Sequence, residues 1–466
     1  MKSSKLNRRQ FLGSAAALGA ATTVGTIGAG ALSSCAGGEQ KAKYTPLRPA
    51  SEVYIPSLTD KAIEGKALKA GLIGCGGRGT GAAMDFLSAA NGVSVVAIGD
   101  VMPHRVESAR KKLKEEKGVE LADDKCFVGF DAYKKVIDSD VDMVLIATPP
   151  GFRPEHARYA VEQGKHAFLE KPLAVDPVGC KTMFAVARQA QQKGLSIVTG
   201  TQRHHQRSYL EAYQKIQEGI IGPITGGNVY WSQPKLWFVE KEAGWTDMEW
   251  MIRGWVDWRW LSGDHIVEQH VHNIDVFNWF IGQHPIKCVG FGSRQRRKIG
   301  DQYDNFSVDF IYENGVHAHS MCRQIDGCAN NVSEEIYGSL GYFKSYDDDN
   351  DGKMTIRDLN GKVVWAYDEK AEKQKFEQNN PYVLEHVNLI TCIRNNTPIC
   401  QIEETTNSTL SAIMGRESAY TGQEVTWEGI MASSQSIVPS ELQMRDYPEI
   451  AKNVVIPVPG SASADS

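Results

Sequence analysis

The sequence contains no C-x-x-C pair, although it has nine cysteines. Apart from Cys35 they are scattered singly, several in apolar runs where buried free thiols are usual. An oxidising compartment would allow a disulfide, but the spacing does not choose partners, and no metal site is assigned. Charge of one sign is also scarce. Lys and Arg number 51 against 56 Asp and Glu, a net of −5, so there is no electrostatic case for a nucleic-acid partner. The one dense basic run, Arg294-Gln-Arg-Arg-Lys298, reads as a solvated loop or strand end. Beyond Leu32 nothing reaches the roughly 18 unbroken apolar residues of a membrane span.

The N-terminus is an address. Asn7-Arg8-Arg9-Gln10-Phe11-Leu12 sets two arginines before a weakly apolar Ala/Gly/Thr/Leu run that ends at Leu32, the pattern of a twin-arginine export signal. Leu32-Ser33-Ser34-Cys35 resembles a lipobox, which makes Cys35 the lipid attachment point; the alternative is an uncleaved anchor. Either way the signal covers 1–35, and the body lies beyond the inner membrane of a bacterium, as a periplasmic or outer-membrane-attached lipoprotein. The membrane contact is then through the N-terminal anchor alone. Residues 36–66, with Pro46, Pro49 and Pro56, read as a tether and surface arm.

A glycine loop follows. In Ala70-Gly-Leu-Ile-Gly-Cys-Gly-Gly-Arg-Gly79, residues Gly74, Gly76 and Gly79 fit G-x-G-x-x-G directly after an apolar run. Such glycines permit a tight turn, close approach to a pyrophosphate and close helix packing, and the next helix offers free N–H groups to phosphate. Val93-Ser-Val-Val-Ala-Ile-Gly-Asp100 places an acid 21 residues after Gly79, where a carboxylate accepts hydrogen bonds from the NAD ribose and repels a 2′-phosphate. The competing reading is an ordinary Gly-rich turn with a surface Asp. A dinucleotide enzyme exported already folded would load its cofactor first, so tightly bound NAD and a cycle that closes on it are expected.

From Lys69 to about Gly200, short apolar strands (70–73, 93–98, 142–147, 166–169 and 196–199) alternate with helical stretches, which implies a parallel sheet. The Rossmann domain is set at 67–203. Strands at 227–231, 286–292, 307–312 and 316–323 follow one another in the second domain, 204–453, and suggest a mostly antiparallel sheet with one inserted helix over 263–280. Residues 382–423 read as helical again and return toward the first domain. The tail, 454–466, is rich in Pro, Ser and Ala and reads as disordered.

Chemistry concentrates in three places. Glu170-Lys171-Pro172 follows a strand at the same sheet edge as the glycine loop and as Thr148-Pro149. A lysine there can hydrogen-bond a substrate hydroxyl and favour its deprotonated form; alone, it would read as a surface Lys before a turn. In Gly263–Phe280, a straight helix puts His265, Glu268, His272, Asp275 and Trp279 on one face. His272 is the natural base, because its ordinary pKa lies near neutrality, and Glu268 could orient it. A solvated polar face and a zinc site compete with this reading; His270, on the apolar side, reads as a satisfied histidine. Eight of the ten tryptophans lie between Trp231 and Trp279; flat rings suit sugar faces, and Trp258 is taken as a substrate contact. The run Gln202-Arg203-His204-His205-Gln206-Arg207 offers donors between the two domains, with a solvated helix start as the alternative.

The ordered set Gly74–Gly79, Asp100, Thr148-Pro149, Glu170-Lys171-Pro172, Glu268, His272 and Met414-Gly-Arg-Glu-Ser-Ala-Tyr-Thr-Gly422 resembles the Gfo/Idh/MocA oxidoreductases over about residues 69–427. The resemblance implies an α/β fold: a doubly wound parallel Rossmann sheet and a C-terminal α/β domain with an open, mostly antiparallel sheet. It also implies homo-oligomers, dimer or tetramer, formed through that sheet, and NAD(P) chemistry on sugars. The family's catalytic Lys falls on Lys171 and its His on His272, while its usual Asp is Glu268 here. Cofactor contacts then fall on Gly74, Gly76, Gly77, Arg78, Gly79, Asp100, Thr148, Pro149, His156, Glu170 and Lys171. Substrate contacts fall on Arg203, His204, His265, Asp275 and Trp258. The expected activity is oxidation of a ring hydroxyl, at carbon 3 of a sugar or glycoside. A redox-neutral NAD-dependent glycosidase, as in the α-N-acetylgalactosaminidase branch, and a non-catalytic sugar-binding lipoprotein are the alternatives.

Overall fold

The computed structural model describes residues 44–461. The export signal, Cys35 and the start of the tether lie outside the described residues. The first sheet alternates strand and helix: β1 (Leu68–Ile73), α1 (Gly77–Ala89), β2 (Val93–Asp100), α2 (Pro103–Lys117), β3 (Cys126–Val128), α3 (Ala132–Ile137), β4 (Met143–Ile146), α4 (Arg153–Glu162), β5 (His166–Leu169), α5 (Pro177–Gln192) and β6 (Ile197–Thr199). Its six strands run in the order β3-β2-β1-β4-β5-β6, and every pair is parallel. Strands buried on both faces need unbroken apolar runs, and Met143-Val-Leu-Ile146 is such a run, wholly buried. The order in which strands are added reverses between β1 and β4, and ligands bind beside the carboxyl ends of strands at such a switch point.

After α6 (Arg207–Gln217) comes β7 (Ile224–Gln233), then α7 (Asp247–Arg253), α8 (Arg259–Ser262), α9 (His265–Glu268) and α10 (Val271–Ile281). The strands β8 (Lys287–Ser293), β9 (Asn305–Ile311), β10 (His317–Gln324), β11 (Asn331–Gly338), β12 (Gly341–Asp347), β13 (Lys353–Asp358) and β14 (Val363–Ala366) follow. Helices α11 (Glu369–Lys375), α12 (Pro381–Asn395) and α13 (Ile402–Thr421) lead to β15 (Val425–Thr426), α14 (Trp427–Ala432) and α15 (Pro448–Ala451). The nine-stranded order is β14-β13-β12-β11-β7-β10-β9-β8-β15, antiparallel except for β10 on β7. Alternate residues of β9 are buried; Phe306, Val308 and Phe310 join Phe277 and Phe280 of α10 in the core. The opposite face carries exposed apolar side chains, Phe291 the most at 72%.

The single helix expected over 263–280 is broken. The His270 amide reaches back to the His265 carbonyl at 3.1 Å, a widened turn that ends α9 and restarts the chain in a new direction. Arg294 and Arg297 do not point into solvent. Arg294 Nη1 donates to the Gly300 carbonyl at 2.5 Å, and Arg297 Nη1 to Asp257 at 2.9 Å; the run is a loop tied down by its own arginines. The tail expected to be disordered is held as far as residue 461. The Tyr303 hydroxyl donates to the Pro457 carbonyl at 2.7 Å, and the Gly460 amide to that of Thr421 at 3.0 Å. The eight cysteines from Cys75 to Cys400 are free thiols.

Candidate active site

Each glycine of the loop between β1 and α1 does something different. Gly74 sits at φ +94°, and a Cβ there would meet the Ala147 carbonyl carbon at 2.8 Å. A Cβ on Gly79 would lie 1.8 Å from the Gly74 carbonyl oxygen, so the helix can cross the loop only without a side chain. At Gly76 the nearest atom would be 3.8 Å away, and at Gly77 nothing would be touched. Those two positions face open space at the start of α1, where free amides await an anion. Asp100 ends β2 with one carboxylate oxygen accepting from the Cys75 amide (2.7 Å) and the other from the Met102 amide (2.8 Å). It thereby holds the glycine loop against the strand. These features fit a dinucleotide.

The loop opens into a cleft of about 690 Å³ whose walls include Thr148, Pro149, Glu170, Lys171, Glu268 and His272. Glu170 accepts from Arg78 Nε at 2.5 Å. A Cβ on Gly200 would fall 2.7 Å from its carboxylate, so this glycine makes the room. Burial pushes the Glu170 carboxyl up, but Arg78, Lys171 and Arg153 together hold it below its usual range. Arg78 also meets fully buried Glu385 at 3.5 Å, whose carboxyl burial pushes well up.

Lys171 reaches across from the first sheet to α9. Its Nζ donates to the Glu268 carbonyl at 2.6 Å and lies 3.2 Å from Glu268 Oε1. His272, one turn further, stacks on Trp231 with ring centroids 5.6 Å apart and planes 21° apart. Burial drives its imidazole pKa well below the ordinary value, and the nearby cations Lys171, Arg203, Arg78 and His204 add to the effect. The ring is therefore neutral at physiological pH and able to accept a proton.

The other residues assigned from the sequence lie elsewhere. His156 is stacked beside Tyr133 at 4.2 Å, and its Nδ1 lies 3.2 Å from Thr148 Oγ1. It lines a smaller adjoining cavity rather than the cleft. Trp258 is fully buried in a cluster with Met251 and Trp260. His265 is buried too, its Nδ1 3.0 Å from Asp264 and its ring against Phe306. Arg203 is spent on Glu334 at 2.6 Å, behind Trp231. His204 pairs with Asp275 at 2.6 Å and stacks on Trp279 at 4.1 Å, lining a separate 320 Å³ cavity. None of these six, Asp275 included, lines the cleft; for His265 and Asp275 the break at Gln269–His270 turns the stripe apart. His270, expected to be satisfied, is buried with Nε2 2.7 Å from Ser320 Oγ but with Nδ1 lacking a partner among the described residues. Sequence reasoning did not assign Trp231, Trp237, Trp255, Gln269 and Tyr382, which do line the cleft. The tryptophan cluster was the available signal for three of them.

Residues 68–198 match the oxidoreductase family Gfo/Idh/MocA, NAD-binding Rossmann fold, and residues 209–344 match the Gfo/Idh/MocA C-terminal domain. The chain belongs to the Gfo/Idh/MocA family. It is an enzyme of that NAD-binding oxidoreductase family, and residues 5–25 match the twin-arginine translocation signal, which indicates export. Among its relatives is a glycosyl hydrolase family 109 protein of Streptomyces coelicolor, 28% identical over 225 residues, 48% of this chain and 44% of that protein. Another is scyllo-inositol 2-dehydrogenase (NAD(+)) of Bacillus subtilis, 22% identical over 277 residues, 59% and 72% of the two chains. The chain thus spans less than half the length of the Streptomyces relative. Among solved structures, scyllo-inositol dehydrogenase from Lactobacillus casei with bound NAD(H) and scyllo-inositol shares the fold at TM-score 0.58 and 22% identity, covering 77% of this Gfo/Idh/MocA chain and 99% of that one.

Proposed function

We propose that this protein is an exported oxidoreductase that removes hydride from a ring hydroxyl, at carbon 3 of a sugar or glycoside, and keeps NAD tightly bound throughout. The observation that carries the reading is that Lys171, Glu268 and His272, from two different sheets' connections, line one cleft with the glycine loop. The loop Gly74–Gly79, Asp100, Thr148 and Pro149 would hold the dinucleotide. NAD, when bound there, supplies the hydride acceptor. His272, neutral because it is buried among cations, takes the hydroxyl proton. Lys171 donates a hydrogen bond to the same oxygen and stabilises negative charge as it develops. Glu268 holds the Lys171 ammonium through its carbonyl and its carboxylate. Trp231, Trp237 and Trp255 offer flat faces to the sugar. We further place the division between the two domains near residue 203, the lipid on Cys35, and a homo-oligomer contact on the open face of the nine-stranded sheet.

Replacing His272 by Asn tests this: turnover of sugars should collapse while bound nucleotide stays. Activity at the wild-type level would remove the assignment.

The second reading is a redox-neutral glycosidase, favoured by the similarity to glycosyl hydrolase family 109 proteins. It uses the same first proton transfer, followed by loss of the glycosidic group. Release of nitrophenol from a nitrophenyl glycoside without net reduction of cofactor would select it.

A further inference from the structure

A second cavity, of about 220 Å³, opens off the cleft and shares Asp100, Arg105, Thr148 and Pro149 with it. Its inner walls are aromatic. Tyr133 stacks on His156 at 24°, and Phe152 lies nearly parallel to that imidazole on another side, 6.1 Å away. Burial pushes the His156 pKa down to about 3, so the ring adds no charge. A flat, neutral heterocycle attached to a ribose held at Asp100 suits such walls, which places the adenine end of the dinucleotide here.

The outer wall of this cavity does not come from the parallel sheet. It is built by Ile252 of α7 and by Val438 and Leu442 of the segment between α14 and α15. We propose that this C-terminal segment, residues 433–447, belongs to the cofactor site: Val438 and Leu442 close the adenine cavity and set how slowly the dinucleotide leaves.

Both ends of the segment are pinned. At the first end the Ile437 amide donates to Asp176 Oδ2 at 2.8 Å, while Asp176 Oδ1 caps α5 at the Gly179 amide. Lys181 Nζ donates to the Ser433 carbonyl at 2.5 Å. At the second end the Met248 amide donates to the Arg445 carbonyl at 3.2 Å and the Tyr447 amide to buried Asp247 at 2.9 Å. The Asp247 amide in turn donates to Asp446 at 2.9 Å. Tyr447 is buried with Met251 and Ile252. Between these pins the chain has no helix or strand; Val438 and Leu442 are half-buried while Gln443 and Met444 are exposed. An apolar middle held at two fixed ends is a strap. A base seated beneath it leaves only after the strap bulges or a pin breaks.

The inference rests on the proposal that the chain holds NAD, and the experiment separates the two. The full chain is loaded with excess NADH, and release is followed by loss of bound-NADH fluorescence during a chase with NAD. The double variant Val438→Ala/Leu442→Ala should release at least tenfold faster, with a melting curve within a few degrees of the wild type. An equal rate in the folded variant would overturn the strap. Wild-type protein purified empty and exchanging freely would overturn tight retention, while the ratio of the two rates still judges the strap. A second readout needs no variant: NADH should slow amide exchange over residues 438–447, since a ligand and a closure that favour each other do so reciprocally. No change in that exchange would also overturn it.

Discussion

The broken helix pair α9–α10 serves two pockets, and the two treat their polar groups in opposite ways. On the cleft side the His272 ring has no hydrogen-bond partner among the described residues, and Lys171 has one reaching donor group shared between a carbonyl and a carboxylate. On the far side Asp275 uses both oxygens, one toward His204 at 2.6 Å and one toward Ser408 at 2.8 Å, and Arg48 is divided among Gln217, Tyr213 and the Trp279 carbonyl. Buried groups that satisfy each other hold a fold together; buried groups left with spare capacity are available to a ligand. The same short stretch of sequence therefore lines the cleft with Glu268 and His272, the groups proposed to carry the chemistry, and builds architecture with Asp275 and Trp279.

The largest effect expected is on the cleft side. His272→Asn should lower kcat by about 10³-fold, within the range for loss of a general base, while nucleotide content in the purified protein is unchanged by absorbance. On the far side the sign of the comparison should invert. Asp275→Ala leaves His204 buried without its partner and should cost about 3 kcal/mol of stability, as broken buried pairs do, with kcat reduced less than tenfold. Thermal or urea unfolding beside steady-state kinetics reads both. Asp275→Ala that kept full stability but lost turnover would break the distinction.

Much of the cleft was legible because its signals are local. The glycine loop, Asp100 and Glu170-Lys171 each follow a strand whose apolar run announces it, and parallel strands bring their carboxyl ends to one edge. The nine-stranded sheet was half legible. Strands β7 to β10 show alternation, whereas β11 to β14 carry residues such as Ser333, Glu334, Asp347 and Thr355 that are buried through ion pairs and hydrogen bonds rather than by being apolar. His265 and Asp275 share a face with Glu268 and His272 only on a straight helix. Periodicity fixes which residues share a face only while the turn keeps its pitch, and the i−5 bond at His270 ended that. Trp258 stands out in the sequence by residue type alone, and type does not separate a core tryptophan from one at a cleft wall.

Acid should expose a further contrast between neutral and charged burial. His386 is fully buried between Phe86 and Phe168 with neither ring nitrogen partnered, and burial drives its pKa well below the ordinary value, with Arg78 and His205 adding to it. Below pH about 6.5 the unfolded chain binds a proton there that the folded chain does not, so this group's contribution is present above that pH and lost as pH falls. The buried Glu385 carboxyl, raised by burial, works in the opposite direction, its share lost as pH rises. His386→Phe should make the acid loss of stability less steep by about 1.4 kcal/mol per pH unit below pH about 6.5, read from unfolding midpoints at several pH values. An unaltered slope would mean that His386 is charged in the fold.

The smallest effect concerns Glu268, where this chain carries the longer of the two acidic side chains. Lys171 is held twice, by the Glu268 main-chain carbonyl at 2.6 Å and by its carboxylate at 3.2 Å, and the carboxylate is also bound by Gln269 Nε2 at 2.5 Å. The main-chain bond survives any substitution that leaves α9 in place, so most of the positioning of Lys171 does not depend on side-chain length. Glu268→Asp should therefore lower kcat by less than tenfold, about 1.4 kcal/mol of barrier, and leave nucleotide binding alone. A loss as deep as that of His272→Asn would mean that the carboxylate itself carries the proton onward from His272, and the cleft would then hold a relay of two groups where the geometry now gives one base and a lysine clamp.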